Sequence, residues 1–248
     1  MRILRAPSAA FLAIATVTSC AHHGAAMSPP FPAAPTTLNT LTPAESAAGW
    51  RLLFDGRTTN GWRNFRQDSI SAGWQVVEGA LTRMGGGESA GDIITRAKFR
   101  NFELVVDWKV APGGNSGIFY RASEDDDAIY WSAPEMQVLD DAGHRDGRSR
   151  LTAAGSNYGI DPAPAGVVRP AGEWNQARIV VNGSHVEHWL NGVKVVEYEL
   201  GGAAWEAKVQ ASKFAPHPHY GRNVEGYIGL QDHGDWVAYR NIKLRVLP

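Results

Sequence analysis

The sequence has little of several features that would fix its class at once. Cys20 is the one cysteine among 248 residues, so no disulfide can form within the chain. The formal net charge is −1, which argues against nucleic acid or an anionic membrane surface as the main partner. No glycine pattern typical of a nucleotide site is present, and stretches with helical period are almost absent beyond residue 50.

The N-terminus has the pattern of a targeting segment. Arg2 and Arg5 precede a short apolar run that ends at Val17, well below the ~20 residues of a membrane span. The run continues into the letters VTSC, which resemble the lipobox of bacterial lipoproteins. We therefore predict a signal peptide over residues 1–20, lipidation of Cys20 and a location in the cell envelope. A plain secretory signal to the periplasm is the alternative.

A change in composition separates this segment from a folded domain. Residues 21–46 contain five prolines among Ala, Ser and Thr, a composition typical of a disordered tether. We predict that the tether ends at residue 46 and that one domain occupies residues 47–248. Its length suits a single large domain, and 44% hydrophobic residues in the chain allow a full core.

The domain reads as strands and turns with a two-residue period. Residues 102–110, FELVVDWKV, place five large apolar side chains on one face. Asn182-Gly183 and Asn191-Gly192 predict a three-strand meander, because Asn-Gly between alternating runs is the strongest short hairpin signal. Two further hairpins are predicted, with turns at Glu78-Gly79 and at residues 233–235. This pattern indicates an all-β sandwich of antiparallel sheets.

Six stretches, in order over residues 49–247, together resemble the 3-keto-disaccharide hydrolase family: GWRLLFDGRTTNGW (49–62), NSGIFYR (115–121), EMQVLDDAGH (135–144), GEWNQARIVVNGSHVEHWLNGVKVVEYE (172–199), ASKF (211–214) and IGLQDHGDWVAYRNIKLR (228–245). The resemblance implies a concanavalin A-like jelly-roll sandwich whose concave sheet binds sugar. It also implies cleavage of glycosides whose C3 hydroxyl has been oxidised to a ketone.

Such a substrate changes the chemistry that the site must supply. The 3-ketone acidifies the hydrogen on C2, so a base and donors to the resulting enediolate suffice, and paired carboxylates are not needed. Glu135 and Gln137 share one face of a strand, and the second of them is an amide. Asp140 lies roughly 16 Å from Glu135 along a straight strand, farther than the about 5–9.5 Å of a glycosidase pair.

The catalytic candidates follow from that chemistry. Asp140 and His144 lie where the strand opens into a long loop, and either is a candidate base. Lys213 is a candidate for stabilising the enediolate or polarising the ketone. Glu135 and Gln137 are predicted to bind the substrate from the strand face.

Three more residues are predicted to bind substrate. Arg121 alternates with its neighbours onto the same side as Phe119 and could hold an oxygen-rich ligand. Trp131 could stack on a sugar ring at the edge of the cleft. His233 lies just before a tight turn and completes the set.

No metal site is predicted. His217 and His219 alternate with prolines in an extended loop, and no third ligand is evident. Asp125, Asp126 and Asp127 have the composition of a calcium site, but solvated loop acids are the simpler interpretation. No cofactor is required by the predicted chemistry.

Together these patterns predict an exported enzyme that cleaves 3-keto-glycosides as a lyase or as a net hydrolase. Its partner is a small carbohydrate and not nucleic acid, and membrane contact is expected only through the N-terminal lipid anchor. A carbohydrate-binding module without catalysis is one alternative, because this fold also makes lectins. A conventional two-carboxylate glycosidase is the other.

Overall fold

The computed structural model describes residues 37–248. The predicted signal peptide, the lipidation of Cys20 and residues 21–36 of the tether lie outside the described residues. Within the described part, the helices are α1 (Pro43–Ala47) and α2 (Ala203–Gln210), with 3-10 turns at Ile129–Trp131 and Arg145–Arg148. The strands in the same part are β1 (Arg51–Leu52), β2 (Trp62–Asn64), β3 (Trp74–Val77), β4 (Ala80–Met84), β5 (Ile93–Phe99), β6 (Phe102–Val110), β7 (Asn115–Ala122), β8 (Glu135–Leu139), β9 (Asn175–Asn182), β10 (His185–Leu190), β11 (Val193–Glu199), β12 (Gly226–Leu230) and β13 (Trp236–Val246).

The strands form two antiparallel sheets. The larger sheet has eight strands in the order β11-β10-β9-β6-β13-β4-β3, with β1 also paired to β13. The smaller sheet has five strands in the order β2-β5-β12-β7-β8. The predicted all-β sandwich of two antiparallel sheets is therefore confirmed. Between residues 37 and 248, no helix is long and apolar enough to cross a membrane.

The core lies between the sheets and follows the predicted alternation. Phe102, Leu104, Val106 and Trp108 on β6 all belong to the main apolar cluster, and Trp108 is fully buried. The facing strands of the smaller sheet add side chains such as Ile118 to the same cluster. Burial of these large side chains supplies most of the free energy that holds the sheets together.

Three of the four predicted hairpins are confirmed. Leu190 pairs with Val193 across Asn191-Gly192, and both turn residues have the positive φ, 49° and 86°, that a type I′ turn needs. β9 and β10 also form a hairpin and complete the meander, but Asn182 pairs with His185, so the turn consists of Gly183 and Ser184, one residue beyond the predicted position. β3 and β4 join at Glu78-Gly79.

The predicted hairpin around residues 233–235 is wrong. β12 lies between β5 and β7 in the smaller sheet, whereas β13 lies between β6 and β4 in the larger one. The turn therefore carries the chain from one sheet to the other. Both strands alternate, and a two-residue period does not say in which sheet a strand pairs. This crossing brings residues 231–234 to the rim of the smaller sheet.

The folded domain begins before residue 47, so the predicted end of the tether is also corrected. Asn39 and Asn241 exchange two backbone-to-side-chain hydrogen bonds of 2.7 and 2.9 Å. In α1, Glu45 accepts a hydrogen bond from Thr42 N and forms an ion pair with Lys243 of β13. The lysine is 2% exposed, so these N-terminal residues neutralise a charge that the sheet alone would leave buried.

Glu45→Gln is expected to destabilise the domain by about 1–3 kcal/mol, because it leaves the buried Lys243 ammonium without a counter-charge. The free energy of unfolding from urea titration at neutral pH measures the effect. Ser46→Ala, at an exposed position of the same helix, is the control and should match the wild type. Equal stability of Glu45→Gln and wild type would contradict a structural role for this segment.

Candidate active site

Strand β8 turns two polar side chains away from the core. Met136 and Val138 are fully buried between the sheets, so the strand period places Glu135 and Gln137 on the opposite face. This confirms the predicted alternation. That face is covered rather than wet, since Glu135 is 5% exposed and Gln137 is 1% exposed.

A glycine on the neighbouring strand makes room for the buried acid. Gly117 of β7 pairs with Gln137, and a Cβ atom at residue 117 would overlap the carboxyl group of Glu135. In the amide orientation that suits its neighbours, Gln137 donates to Glu135 Oε1 at 3.0 Å and to the Ser116 carbonyl at 2.9 Å. The acid is therefore held in one position by the sheet itself.

A cavity of about 620 Å³ opens over Glu135 and Gln137. Its size lies within the range of ~300–1,000 Å³ that is usual for small-molecule sites. The walls come from strand ends and loops that are far apart in the sequence. Besides Glu135, the lining includes the ionisable residues Arg83, Asp92, Lys213, Asp232 and His233.

Asp232 fixes one wall of the cavity. Its carboxylate accepts hydrogen bonds from Arg83 Nε at 2.6 Å, Ala90 N at 2.6 Å and Gly91 N at 2.8 Å. Its own backbone N–H donates to Asp92 Oδ1 at 2.8 Å. Burial opposes the charge on Asp232, but the hydrogen bonds and Arg83 hold its pKa below the ordinary value. An ionised Asp232 thus positions the loop that carries Asp92.

Two acids in the cavity have strongly raised pKa values. Burial raises the pKa of Asp92 to about 7, against the hydrogen bond from Asp232 N and with the help of the Asp232 charge. Burial also raises the pKa of Glu135 to about 8; Lys213 opposes this rise, and the charges of Asp92 and Asp146 add to it. The negative charge of Asp92 thus disfavours ionisation of Glu135, and both acids titrate close to neutral pH.

Lys213 supplies a cation that acts on Glu135. Burial lowers its pKa, and the negative charges of Glu135 and Asp146 oppose that change. The ammonium lies 4.3 Å from the ring centroid of Tyr158, whose hydroxyl donates to Asp146 Oδ2 at 3.1 Å. Lys213 is thus held beside Glu135 in the cavity, in agreement with its predicted place in the site.

Trp131, predicted to stack on a sugar ring, lies in an aromatic part of the cavity wall. Trp131 lines the cavity and stacks on His217 with ring centroids 3.6 Å apart and planes 5° apart. Tyr130 packs edge-on against Trp131 and lines the same cavity. Flat side chains at this edge suit the apolar face of a sugar ring.

The two predicted histidines meet but differ in role. His233 lines the cavity, and its ring lies 6.1 Å from that of His144. His144 instead caps the 3-10 turn at Arg145–Arg148, where its Nδ1 accepts from Asp146 N at 3.1 Å. His144 is not one of the residues that line the cavity. Its predicted role as the base therefore lacks support.

Asp140 is not placed for catalysis. One carboxylate oxygen accepts from Gly113 N at 2.8 Å and the other from Ala142 N at 3.2 Å. The side chain is buried at the end of β8 and lies outside the cavity lining. It closes the strand end as a turn residue, which aspartate often does. The geometry therefore gives no support to the predicted role of Asp140 as the base.

Arg121 also lies elsewhere, which corrects its predicted role at the cavity. Its guanidinium donates to the carbonyl oxygens of Arg100 and Gly183 at the far end of β7. The β7–β12 register shifts between Tyr227 and Gly229, and Arg121 has a φ of 52°. This bulge breaks the alternation that would have placed it beside Phe119.

Several residues of the site were not predicted. Asp92 precedes β5, far in sequence from Glu135, and no spacing in the sequence connects the two. Tyr158 belongs to the long loop after β8, and loops of that length often carry functional residues. Asp232 precedes the turn that was read as a hairpin tip, and its five hydrogen bonds become visible only in the fold.

The metal-type residues do not add to this site. Asp126 and His219 form an ion pair at 3.0 Å. In the described part of the chain, neither belongs to a group of three residues whose ligand atoms are close enough to hold a metal ion. In the described range, the group whose ligand atoms all lie within 4.8 Å of one another is His185, Glu187 and Glu197. It lies on β10 and β11 of the larger sheet, and Lys194 pairs with both glutamates there.

Glu135→Gln is expected to flatten the pH dependence of stability. The pKa of Glu135 is about 8 in the folded protein against an ordinary 4.5, so between these pH values the folded state holds a proton that the unfolded state has released. Glu135 therefore makes the free energy of unfolding of the wild type fall as pH rises through this window, by up to about 1.4 kcal/mol per pH unit. Asp92, with a pKa of about 7, adds a slope of the same sign that the variant keeps. Urea titrations across the window measure the slope.

Asp125→Asn, at an exposed loop position, is the matched control and should keep the wild-type slope. A slope in Glu135→Gln identical to that of the wild type would mean that Glu135 is ionised throughout the window. That result would remove the high-pKa acid from the site.

Comparison with known proteins identifies the family of the chain. The sequence profile of the 3-keto-alpha-glucoside-1,2-lyase-like domain matches residues 49–245. A 3-keto-disaccharide hydrolase from Bacteroides thetaiotaomicron is 41% identical over 239 residues, covering 85% of this chain and 82% of that protein.

Solved structures agree with the fold. A Parabacteroides distasonis protein named as a candidate glycosyl hydrolase superposes with a TM-score of 0.79 at 33% identity, covering 86% of this chain and 100% of that one. A Bacillus subtilis protein with a galectin-like fold, at 12% identity and a TM-score of 0.50, covers 85% and 94% of the two chains and supports the jelly-roll architecture alone. The chain belongs to the 3-keto-α-glucoside-1,2-lyase-like family and is a glycoside-cleaving enzyme.

Proposed function

We propose that this enzyme cleaves 3-keto-glycosides by removing the proton on C2 and expelling the group on C1. The observation that carries the proposal is the combination of a buried high-pKa carboxyl, Glu135, with a cation, Lys213, in one sugar-sized cavity. The name of the Bacteroides relative, a 3-keto-disaccharide hydrolase, supports the same substrate class.

The reaction balances without an external oxidant or reductant. The base takes the C2 proton, and the electron pair moves into the C2–C3 bond while the C3 carbonyl becomes an enolate oxygen. The pair then returns to form the C1–C2 double bond, and the C1–O bond breaks as the C3 carbonyl is restored. The leaving oxygen takes up a proton. Addition of water to C1 afterwards makes the net reaction a hydrolysis.

Glu135 is assigned as the base. A carboxylate with a pKa of about 8 takes a proton from carbon more readily than one with an ordinary pKa of 4.5. Its position is fixed by Gln137 and by the space over Gly117. Lys213, beside it, stabilises the negative charge that develops on the C3 oxygen.

Asp92 is assigned as the acid for the leaving oxygen. Its pKa of about 7 keeps a large share protonated at neutral pH. One carboxyl oxygen accepts from Asp232 N, which fixes the group at the cavity wall. Between about pH 7 and 8 the pair Asp92 and Glu135 holds one proton on average, and this proton lies mainly on Glu135. The reactive form, with Asp92 protonated and Glu135 ionised, is the minor arrangement of that proton.

The same cation argues against the conventional glycosidase. That mechanism develops positive charge at C1, and an ammonium group beside the reacting ring opposes it. An enediolate is negative and is stabilised by Lys213 instead. A purely carbohydrate-binding role does not explain the buried carboxyl group of Glu135, because burying a carboxyl group costs free energy.

Export and lipid anchoring are inferred from the sequence pattern ending at Cys20. The anchored form places the enzyme in the cell envelope, where it meets small carbohydrates. The mass of the mature N-terminal peptide tests this, and an unprocessed N-terminus would contradict it.

We expect turnover of a 3-keto-disaccharide and none of its unoxidised parent. The pH profile of kcat/KM with the keto sugar should be bell-shaped with limbs near 7 and 8, the pKa values of Asp92 and Glu135. Product analysis by mass spectrometry measures both substrates. Cleavage of the parent sugar at a comparable rate would move the assignment to the two-carboxylate mechanism.

The leaving group separates the roles of the two acids. Glu135→Gln should lower kcat by about 10²–10⁴-fold on every 3-keto-glycoside, because no leaving group replaces the base. Asp92→Asn should lose about 10²-fold on an alkyl glycoside and little on a nitrophenyl glycoside, whose oxygen leaves without a proton. Steady-state kinetics on both substrates measure this, and equal losses for the two variants on both would refute the assignment.

A further inference from the structure

A second cavity, of about 260 Å³, lies at the far end of β7. It is lined by residues of the β9–β10 turn, of the loop before β12 and by three arginines, Arg100, Arg121 and Arg222. It shares no lining residue with the cavity over Glu135. The two cavities are therefore separate, and a ligand of the second does not require the function proposed for the first.

The bulge in β7 sends Arg121 into this region. Tyr227 pairs with Ala122 and Gly229 with Phe119, so two residues of β7 lie opposite one residue of β12. Arg121 is one of these two residues and has a φ of 52°. Bulges re-aim side chains that a regular strand would place elsewhere. The guanidinium is consequently buried, with 6% of the residue exposed.

All the hydrogen bonds of this guanidinium go to neutral oxygens. Nε and Nη2 donate to the Arg100 carbonyl at 3.0 and 2.9 Å, and Nη2 donates to the Gly183 carbonyl at 2.8 Å. The side-chain oxygen of Asn101 lies 3.4 Å from Nη2. Within residues 37–248 neither a carboxylate partner of Arg121 nor a partner of its Nη1 is found.

The other two buried arginines of the described chain have acidic partners. Arg83 contacts Asp232 at 2.6 Å, and Arg178 contacts Glu103 at 2.5 Å. A buried cation without a counter-ion is costly, which is why such pairs are the rule. Arg121 is the exception.

A second positive charge without a counter-ion lies close to Arg121. Arg100 is exposed, and its charge together with burial lowers the pKa of Arg121, which shows that the two guanidinium groups act on each other. In the part of the chain that the structure describes, no carboxylate pairs with Arg100. Arg222 is neutralised by Glu206, to which it donates two hydrogen bonds. The mouth of the cavity thus holds two uncompensated cations.

We propose that this second cavity binds an oxyanion group, a phosphate or a sulfate, between Arg100 and Arg121. Arg100 presents a planar pair of donors that matches two oxygens of such a group. Arg121 adds the N–H groups of Nη1, because its Nε and Nη2 already donate to backbone carbonyls. The volume of about 260 Å³ suits a small anion, or the charged group of a ligand that extends into solvent. The source is free anion or an anionic sugar.

Calorimetric titration of the wild-type protein with inorganic phosphate, inorganic sulfate and glucose 6-phosphate tests this, at constant ionic strength set with chloride. We expect saturable binding of at least one of the three. Arg100→Gln should weaken it by at least about tenfold, because a charged hydrogen-bonding partner is lost. Arg57→Gln, at an exposed position outside both cavities, is the matched control and should bind as the wild type does.

Arg121→Lys keeps the charge and removes the Nη1 donors, so it should also weaken binding, with folding checked by thermal denaturation. Tighter binding of glucose 6-phosphate than of phosphate assigns the site to an anionic sugar, and equal affinity assigns it to the free anion. Absence of saturable binding of all three probes overturns the proposal. So does binding that is lost in Lys213→Met and unchanged in Arg100→Gln, which would place the anion over Glu135.

Discussion

The site depends on the burial of one carboxyl group against the backbone of a glycine. Glu135 occupies the space that a side chain at Gly117 would fill, and the antiparallel pairing of β7 with β8 fixes that relation. The same pairing turns Met136 and Val138 into the core. Packing of the core therefore sets the position and depth of the acid, and depth is what raises its pKa to about 8.

The other parts of the cavity respond to this buried acid. Lys213 approaches from the loop after α2 and stabilises its charged form, while Asp92 approaches from the start of β5 and opposes it. Asp232 remains ionised and directs its hydrogen bonds to the loop that carries Asp92. One acid thus has a structural role, and two are left free to exchange a proton. This division of roles follows from environment, since the three are chemically alike.

Much of the fold could be predicted from the sequence, because its causes are local. Alternation identified the core face of β6, and Asn191-Gly192 fixed a turn through its positive φ values. Features with long-range causes could not be predicted. The chain after Gly234 enters the other sheet, the bulge changes the direction of the Arg121 side chain, and Asp140 accepts backbone hydrogen bonds at the end of β8. Asp92 reaches Glu135 only through strand pairing, and no sequence period encodes that approach.

The central claim is that Glu135 removes the proton on C2 of a 3-keto sugar. Incubation with a 3-keto-disaccharide in D₂O, stopped at partial conversion, measures it most directly by the deuterium content of C2 in recovered substrate and product. We predict deuterium at C2 with the wild type and its loss in Glu135→Gln. Cleavage by the wild type with C2 free of deuterium throughout, or unchanged exchange in the variant, would contradict the claim.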